Sequence, residues 1–405
     1  MRVLFVNATA GFQGGIEANV RATALGLKAR GHAVALAHEA RQVDADFVAP
    51  FDRVFGMSSR PSVDLAEVVG AWAPDLLYVH KCENLGRLKT WRLPLPTVRM
   101  VHDHDLYCQR RHRYPLGSLD ICTRPACLIG CLRCGGFVER NRSNPFGLGW
   151  RPITERLRDL SATRSIARVL VASRSMAAEL DLNRIPSNAV RVVPLGIPER
   201  ETQAGTGDVR YSSRQRKSED VRVLFVGQVL RTKGVDLLLR AVAESAGSWH
   251  LSIVGTGAQE QEFRSLSREL GVEERVSWHG VVPAAQVADA MEASDIVVVP
   301  SRWPEPFGLV GLEAMRAQRP VVAFSVGGIP DWLCDEKTGL LAPAGDVVTF
   351  AGHLDRLAAD PDLREKMGAA GRKAFAARWT MEHYLDRLVE TFEAVQAEWG
   401  TRRCT

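Results

Sequence analysis

The chain has 405 residues, 46% of them hydrophobic and 24% charged, with a formal charge of +5. At roughly 100–200 residues per domain this length predicts two or three domains, and the composition excludes a largely disordered chain. No apolar run reaches the ~18 residues of a membrane-spanning helix, and Met1–Asn7 reads as a strand rather than a leader, so a cytoplasmic protein is expected.

In chain order, Arg2–Asn7 is a short run of apolar residues that ends in Asn-Ala-Thr. Gly14-Gly15 follows, then a helical pattern over Ile16–Arg30 that Gly31 stops, then a strand over Ala33–His38. This is a β-α-β unit with a glycine-containing turn before its helix. Leu76–His80 and Thr97–His102 are apolar runs of the kind found in buried parallel strands. The stretch from Lys81 to Arg168 holds 17 Lys and Arg against 7 Asp and Glu, a local charge of +10. It fits an anionic or membrane-surface partner, or simply a solvated basic face.

Residues 201–220 are polar and read as a linker or exposed loop. Val221–Gly227 then nearly repeats the opening strand. A second series follows, with strands at Leu251–Gly255, Val276–Trp278, Ile296–Pro300 and Val321–Phe324 alternating with helices. Alternation of this kind means a parallel sheet covered on both faces. The chain is expected to fold as two tandem doubly wound domains. Residues 1–200 form the first, with a Cys-rich insertion at about 104–150, and residues 221–378 form the second. A C-terminal helix within 379–405 is placed to cross back to the first domain.

In such sheets ligands bind at the carboxyl ends of the strands. Gly14-Gly15 opens a helix there, where exposed amides attract phosphate, although a tight turn is the simpler reading. Gly227–Gly234 places Lys233 ahead of a helix without forming a P-loop. Glu305 and Glu313 bracket the start of another helix, and the amides of Gly308, Leu309 and Val310 would face an anion. Two carboxylates at that spacing can hold different hydroxyls of one ligand.

Together these segments resemble the retaining glycosyltransferases of family 4, the group 1 family with the GT-B fold. Ser301–Met315 is similar to that family's E-x7-E motif, and Val226–Gly234, Gly255-Thr256-Gly257, Trp278-His279-Gly280, Gly327-Gly328 and Thr338–Leu341 match it too. The resemblance is strongest over about 220–345. In the first half it rests on Gly14-Gly15, Pro74-Asp75 and His102-Asp103.

The resemblance implies two Rossmann-like domains flanking a cleft, and transfer of a sugar from a nucleotide-diphosphate sugar to a hydroxyl acceptor. It implies that Glu313 binds the donor's ribose, Glu305 the transferred sugar, and Lys233 the departing diphosphate. Gly14, Gly15, Gly308, Leu309 and Val310 would cradle phosphates and sugar, and His102 would stand near the anomeric carbon. The family carries Arg where this chain has Gln228, which leaves the leaving-group charge to Arg231 with Lys233, or to Lys233 alone. No catalytic metal is implied. Asp44-Ala45-Asp46 and Asp103-His104-Asp105 spell a DxD string, but so short a string arises by chance at this length.

Five of the eight cysteines fall between positions 108 and 134, in the order Cys108-x13-Cys122-x4-Cys127-x3-Cys131-x2-Cys134. In a reducing compartment such a cluster points to metal rather than disulfides. Cys108, Cys122, Cys131 and Cys134 are the expected ligands of a structural zinc, with Cys127 the alternative ligand and an iron–sulfur cluster the alternative group. The function expected is a glycosyltransferase of polysaccharide or glycolipid synthesis, using a lipid-linked or otherwise anionic acceptor at the inner membrane face. A catalytically weak nucleotide-sugar-binding protein is the alternative. A nucleic-acid binder is disfavoured, since no RNP or zinc-finger spacing is present.

Overall fold

The computed structural model describes residues 1–12, 14–57, 64–82, 94–115, 118, 120–140, 148–150, 152–199 and 221–404. The stretch 201–220 expected to be a linker lies outside the described residues. The chain divides into two units, Met1–Pro194 with Met381–Thr405, and Leu195–Thr380.

In the first unit the strands are β1 (Arg2–Asn7), β2 (Ala33–His38), β3 (Arg53–Gly56), β4 (Leu76–Val79), β5 (Thr97–Val101), β6 (Val138–Arg140), β7 (Leu148–Trp150), β8 (Arg168–Val171) and β9 (Val190–Val192). Seven of them make one sheet in the order β3-β2-β1-β4-β5-β8-β9, parallel at every junction. β6 and β7 pair antiparallel as a separate hairpin. The order reverses between β1 and β4, the point at whose carboxyl ends such sheets bind ligands. Leu4, Val6, Ala35, Leu77, Val79 and Val169 are fully buried in the core of this sheet.

The helix Met381–Cys404 belongs to this unit. Tyr384, Leu385, Leu388, Phe392 and Val395 recur at helical spacing and are buried. The Tyr384 hydroxyl lies 3.1 Å from that of Tyr78, and the Phe392 ring packs edge-on to Tyr78 at 5.0 Å. The helix Gly15–Ala29 meets the same surface, where Leu385 fills the space left by Gly26.

In the second unit the strands are β10 (Val221–Val226), β11 (Trp249–Val254), β12 (Val276–Gly280), β13 (Ile296–Val299), β14 (Val321–Phe324) and β15 (Gly339–Ala342). They run parallel in the order β12-β11-β10-β13-β14-β15. Here the order reverses between β10 and β13. Gly234 ends the loop after β10 with φ +74°, and a Cβ there would stand 1.6 Å from the Pro300 carbonyl oxygen at the end of β13. Only glycine lets the two loops approach this closely.

Gly234→Ala is therefore expected to lower the stability of the second unit by at least about 2 kcal/mol, through both the backbone strain and the collision. Gly271→Ala shares the positive φ, +69°, but faces open space, and should cost only about 1 kcal/mol. Urea unfolding of the two variants measures the difference.

Candidate active site

The loops at the β10–β13 reversal are bound to each other by backbone and side chain. The Thr232 carbonyl accepts the amides of Arg302 at 3.0 Å and Trp303 at 3.1 Å. Arg302 forms a two-pronged ion pair with Asp236, Nη2 to Oδ2 at 2.5 Å and Nε to Oδ1 at 3.3 Å. At the centre Lys233 Nζ donates to Glu305 Oε1 at 2.6 Å, and Ser301 Oγ donates to the same oxygen at 2.6 Å. The Lys233 ammonium also stands 5.0 Å from the centre of the Trp303 ring.

Glu305 is only 5% exposed. Burial pushes its carboxyl upward, but the Lys233 charge and hydrogen bonds from Lys233, Ser301 and Trp303 outweigh that and hold it below the ordinary range. The Glu305 carbonyl in turn accepts the Gly328 amide at 2.7 Å, tying in the loop after β14. Gly308 precedes the helix Leu309–Arg316, on which Glu313 is half-buried. The Trp332 indole donates to the Phe307 carbonyl at 2.6 Å and closes over Gly311. The first turn of that helix thus opens beside a fixed carboxylate–ammonium pair.

The residues named from sequence fall unequally. Lys233 and Glu305 meet directly. Gly308, Leu309, Val310 and Glu313 lie on the next turns of chain. Arg231 is committed elsewhere: its guanidinium pairs with Glu262 and its amide with Gln259 Oε1 at 2.7 Å. Among the described residues no side-chain hydrogen bond or ion pair joins Arg231 to Lys233 or Glu305. Gln228 is exposed. Ser301, Arg302 and Trp303 fall within the segment matched to the family motif but were given no role from sequence, and Asp236 and Trp332 were not singled out. Their signal was present, since polar and aromatic residues crowd the strand end at 301–305, but it marks support rather than chemistry until partners are known.

In the first unit, the loops after β1 and β4 are tied by the Ala8 amide to the Lys81 carbonyl at 2.6 Å and by the Lys81 amide to Asn7 Oδ1 at 3.2 Å. Gly14 and Gly15 are exposed at the start of the helix Gly15–Ala29. The buried Glu17 carboxylate sits in its first turn and accepts from Thr9 at 3.4 Å, so a negative group already attends that helix end.

His102 follows β5 and lines a cavity of about 300 Å³ with Thr9, His80, Lys81, Arg99 and Asp103. Burial lowers its imidazole to about 4; Asp103 opposes the shift and Lys81 adds to it. Lys81 Nζ lies 3.0 Å from both Asp103 Oδ2 and Asp105 Oδ2. Both DxD strings serve as caps, Asp44 accepting the Asp46 amide and Asp103 the Asp105 amide, each at 2.9 Å.

Cys108, Cys122, Cys131 and Cys134 line one cavity of about 360 Å³, while Cys127 is exposed and caps the helix Leu128–Arg133, its sulfur accepting the Gly130 amide at 3.3 Å. Burial pushes the Cys108, Cys131 and Cys134 thiols up. Among the described residues no three Cys, His, Asp or Glu side chains form a group able to hold a metal ion. The four cysteines expected from the spacing to form one centre thus share a pocket without meeting as a ligand group.

The basic stretch is also partly internal. Arg113 is 2% exposed and pairs with Glu179 at 3.0 Å, Arg99 is 5% exposed, and Arg168 pairs with Glu398 at 2.6 Å. Among the described residues, no helix is long and apolar enough to cross a membrane.

Two family models match, Glycosyltransferase Family 4 over residues 13–201 and Glycosyl transferases group 1 over residues 211–374. The D-inositol 3-phosphate glycosyltransferase of Stackebrandtia nassauensis is 34% identical over 245 residues, 56% of this chain and 54% of that one. The α-D-kanosaminyltransferase of Streptomyces kanamyceticus is 28% identical over 240 residues, 58% of this chain and 62% of that one. The chain spans about half the length of the curated relatives it matches. Among solved structures, Anabaena HepE in complex with UDP superimposes with a TM-score of 0.71 at 18% identity, covering 97% of this chain and all of that one. Sucrose-phosphate synthase from Thermosynechococcus elongatus gives 0.71 at 19% identity, covering 98% and 99%.

Because Glu305 is held below its ordinary value, its stabilising effect is complete above about 4.5 and is lost as pH falls through its folded-state value. Glu305→Gln should therefore be less stable than the parent at pH 7, and the gap in urea midpoint should narrow as pH falls below about 4.5 and through the folded-state value. A gap independent of pH would contradict the ion pair.

With the fold and both models in agreement, the chain belongs to the group 1 glycosyltransferases of family 4, with the GT-B fold.

Proposed function

We propose that this protein transfers a sugar from a nucleotide-diphosphate sugar to a hydroxyl acceptor with retention of configuration. The observation that carries the reading is the Lys233–Glu305 pair, fixed at the β10–β13 reversal beside the first turn of the helix Leu309–Arg316. An ammonium and a row of helix amides suit a diphosphate, and a buried carboxylate suits sugar hydroxyls. The fold neighbour HepE was solved with UDP and with UDP and glucose, which supports a nucleotide-sugar donor here by analogy.

In this reading Glu313 binds the ribose, and Gly308, Leu309 and Val310 offer amides to phosphate. Lys233 stabilises the negative charge that grows on the departing nucleoside diphosphate. Glu305 orients Lys233 and contacts the transferred sugar. The acceptor oxygen attacks from the side the diphosphate leaves, so configuration is kept and no separate carboxylate base is needed. His102 and the cavity around it belong to the acceptor side, with Gly14 and Gly15 near the donor phosphates.

An anionic acceptor, lipid-linked in a polysaccharide or glycolipid pathway and met at the inner membrane face, is supported by the +10 charge of residues 81–168 and by relatives named for an inositol phosphate. A structural zinc is supported by the cysteine spacing and the shared pocket, and elemental analysis of the purified chain tests it. The exposed Gln228, where the family carries Arg, favours one second reading, a nucleotide-sugar binder with weak turnover.

Titration with a panel of nucleoside diphosphates should find one that binds, and Glu313→Ala should abolish that binding while Glu305→Ala chiefly lowers the rate. Lys233→Ala should slow transfer or donor hydrolysis by a factor on the order of 10²–10³. Binding with no turnover in the parent chain would favour the second reading, and wild-type behaviour of all three variants would refute the site.

Binding to anionic vesicles should exceed binding to neutral ones and weaken as salt rises. Equal binding to both would remove the membrane contact.

A further inference from the structure

His80 ends the apolar run of β4 and was assigned no role from sequence. It is 1% exposed. Its ring stacks on Phe5 at 5.4 Å and 12°, with Tyr78 edge-on at 4.2 Å, and the His102 ring lies nearly parallel, edge to edge, at 5.1 Å and 15°. These contacts fix the ring plane. Within that plane Nδ1 of His80 lies 2.8 Å from Nε2 of His102, and Nε2 of His80 is buried with no hydrogen-bond partner. Nδ1 of His102 has no partner among the described residues.

One proton occupies the bond between the rings, and two arrangements are open to a pair of neutral imidazoles. In one, His80 carries its proton on Nε2 and accepts from His102; a buried N–H is then left unpaired, at a cost of about 1–3 kcal/mol. In the other, His80 carries its proton on Nδ1 and donates to His102, leaving only a bare acceptor buried, which interiors tolerate better than an orphaned donor. The second arrangement is favoured, and it forces the proton of His102 onto Nδ1.

We propose that His80 is a positioning residue that holds His102 as the neutral Nδ1–H tautomer, so that His102 meets the substrate as a hydrogen-bond donor and not as a base. The inference rests on reading His102 as part of the transfer site. A donor at that position suits an oxygen gaining negative charge, or the acceptor's own oxygen, and it removes His102 as a candidate for taking the acceptor proton.

Burial keeps the pair neutral, against the pull of Asp103 on His102. Lys81 extends from the residue after His80 and bridges Asp103 and Asp105, the carboxylates that would otherwise favour an imidazolium. Glu39 from the loop after β2, Arg99 on β5, and Arg111 and Arg156 line the same cavity. Burial lowers both imidazoles, His80 well below its ordinary value and His102 to about 4. The tautomer should accordingly persist across neutral pH.

Long-range ¹H–¹⁵N spectra of the uniformly labelled full chain at pH 7 read the tautomer directly, with the His102 signals identified by their loss in His102→Gln. The expected result is a protonated Nδ1 and an unprotonated Nε2 on His102. His80→Phe keeps the stacking and removes the donor, and should return His102 to a mixture or to Nε2–H. His80→Asn offers an amide N–H near the former Nδ1 and should restore the Nδ1–H form. With the donor found by titration, His80→Phe should lower kcat on the order of 10²-fold with little change in donor KM, and His80→Asn should recover part of it. An Nε2–H tautomer in the parent chain, or an unchanged tautomer in His80→Phe, would overturn the proposal. The tautomer is read in the free protein, so it can fail while the transfer reading stands, and the reverse.

Discussion

A carboxylate that is almost fully buried must be paired or protonated, and Glu305 is paired. That requirement organises the loops of the second unit. Lys233 has to come from the turn after β10, Ser301 from the end of β13, and the two segments must then lie close enough for Gly234 to touch the Pro300 carbonyl. Arg302 and Asp236 brace the approach from outside, and the Glu305 backbone reaches on to the loop after β14. A buried ion pair contributes little net stability, because desolvation offsets most of the attraction. Its effect here is geometric: it fixes where an ammonium and a helix start stand before any ligand arrives.

The first unit meets the same topological situation with different groups. Its crevice at the β1–β4 reversal is lined by two neutral histidines hydrogen-bonded edge to edge, with the net charge of Lys81 divided between two carboxylates. One unit presents a strong localised charge pair and the other a field nearly balanced around uncharged rings. The contrast follows from which residues end β4, β5, β10 and β13.

Much of this was legible in the chain itself. The strands β2 and β14 begin and end where the sequence reading placed them, and the helix Gly15–Ala29 stops one residue before its expected end. Lys233, Glu305 and His102 were found because strand ends in an alternating fold are where ligands bind, and because the E-x7-E resemblance names positions. Other elements carried weaker signals. β3 is mostly exposed and β9 is only three residues long, so neither shows a buried run, and the β6–β7 hairpin lies in the Cys-rich stretch with no alternation to read. Partnerships were the least visible. Nothing in local pattern shows that Arg231 turns to Glu262, that Arg113 is buried against Glu179, or that His80 faces His102, since each joins residues at least 22 positions apart.

The return of Met381–Cys404 to the first unit bears on how the protein is made. The second unit is one continuous stretch and can close as soon as it has left the ribosome. The first unit cannot, because the helix that covers Tyr78 is synthesised only after the whole second unit. At the usual 5–20 residues per second, its β4 face waits roughly 10–40 s after Pro194 is added. During that interval the apolar surface around Tyr78 is open to nascent-chain chaperones, and yield in a cell should depend on them more than the finished molecule's stability would suggest.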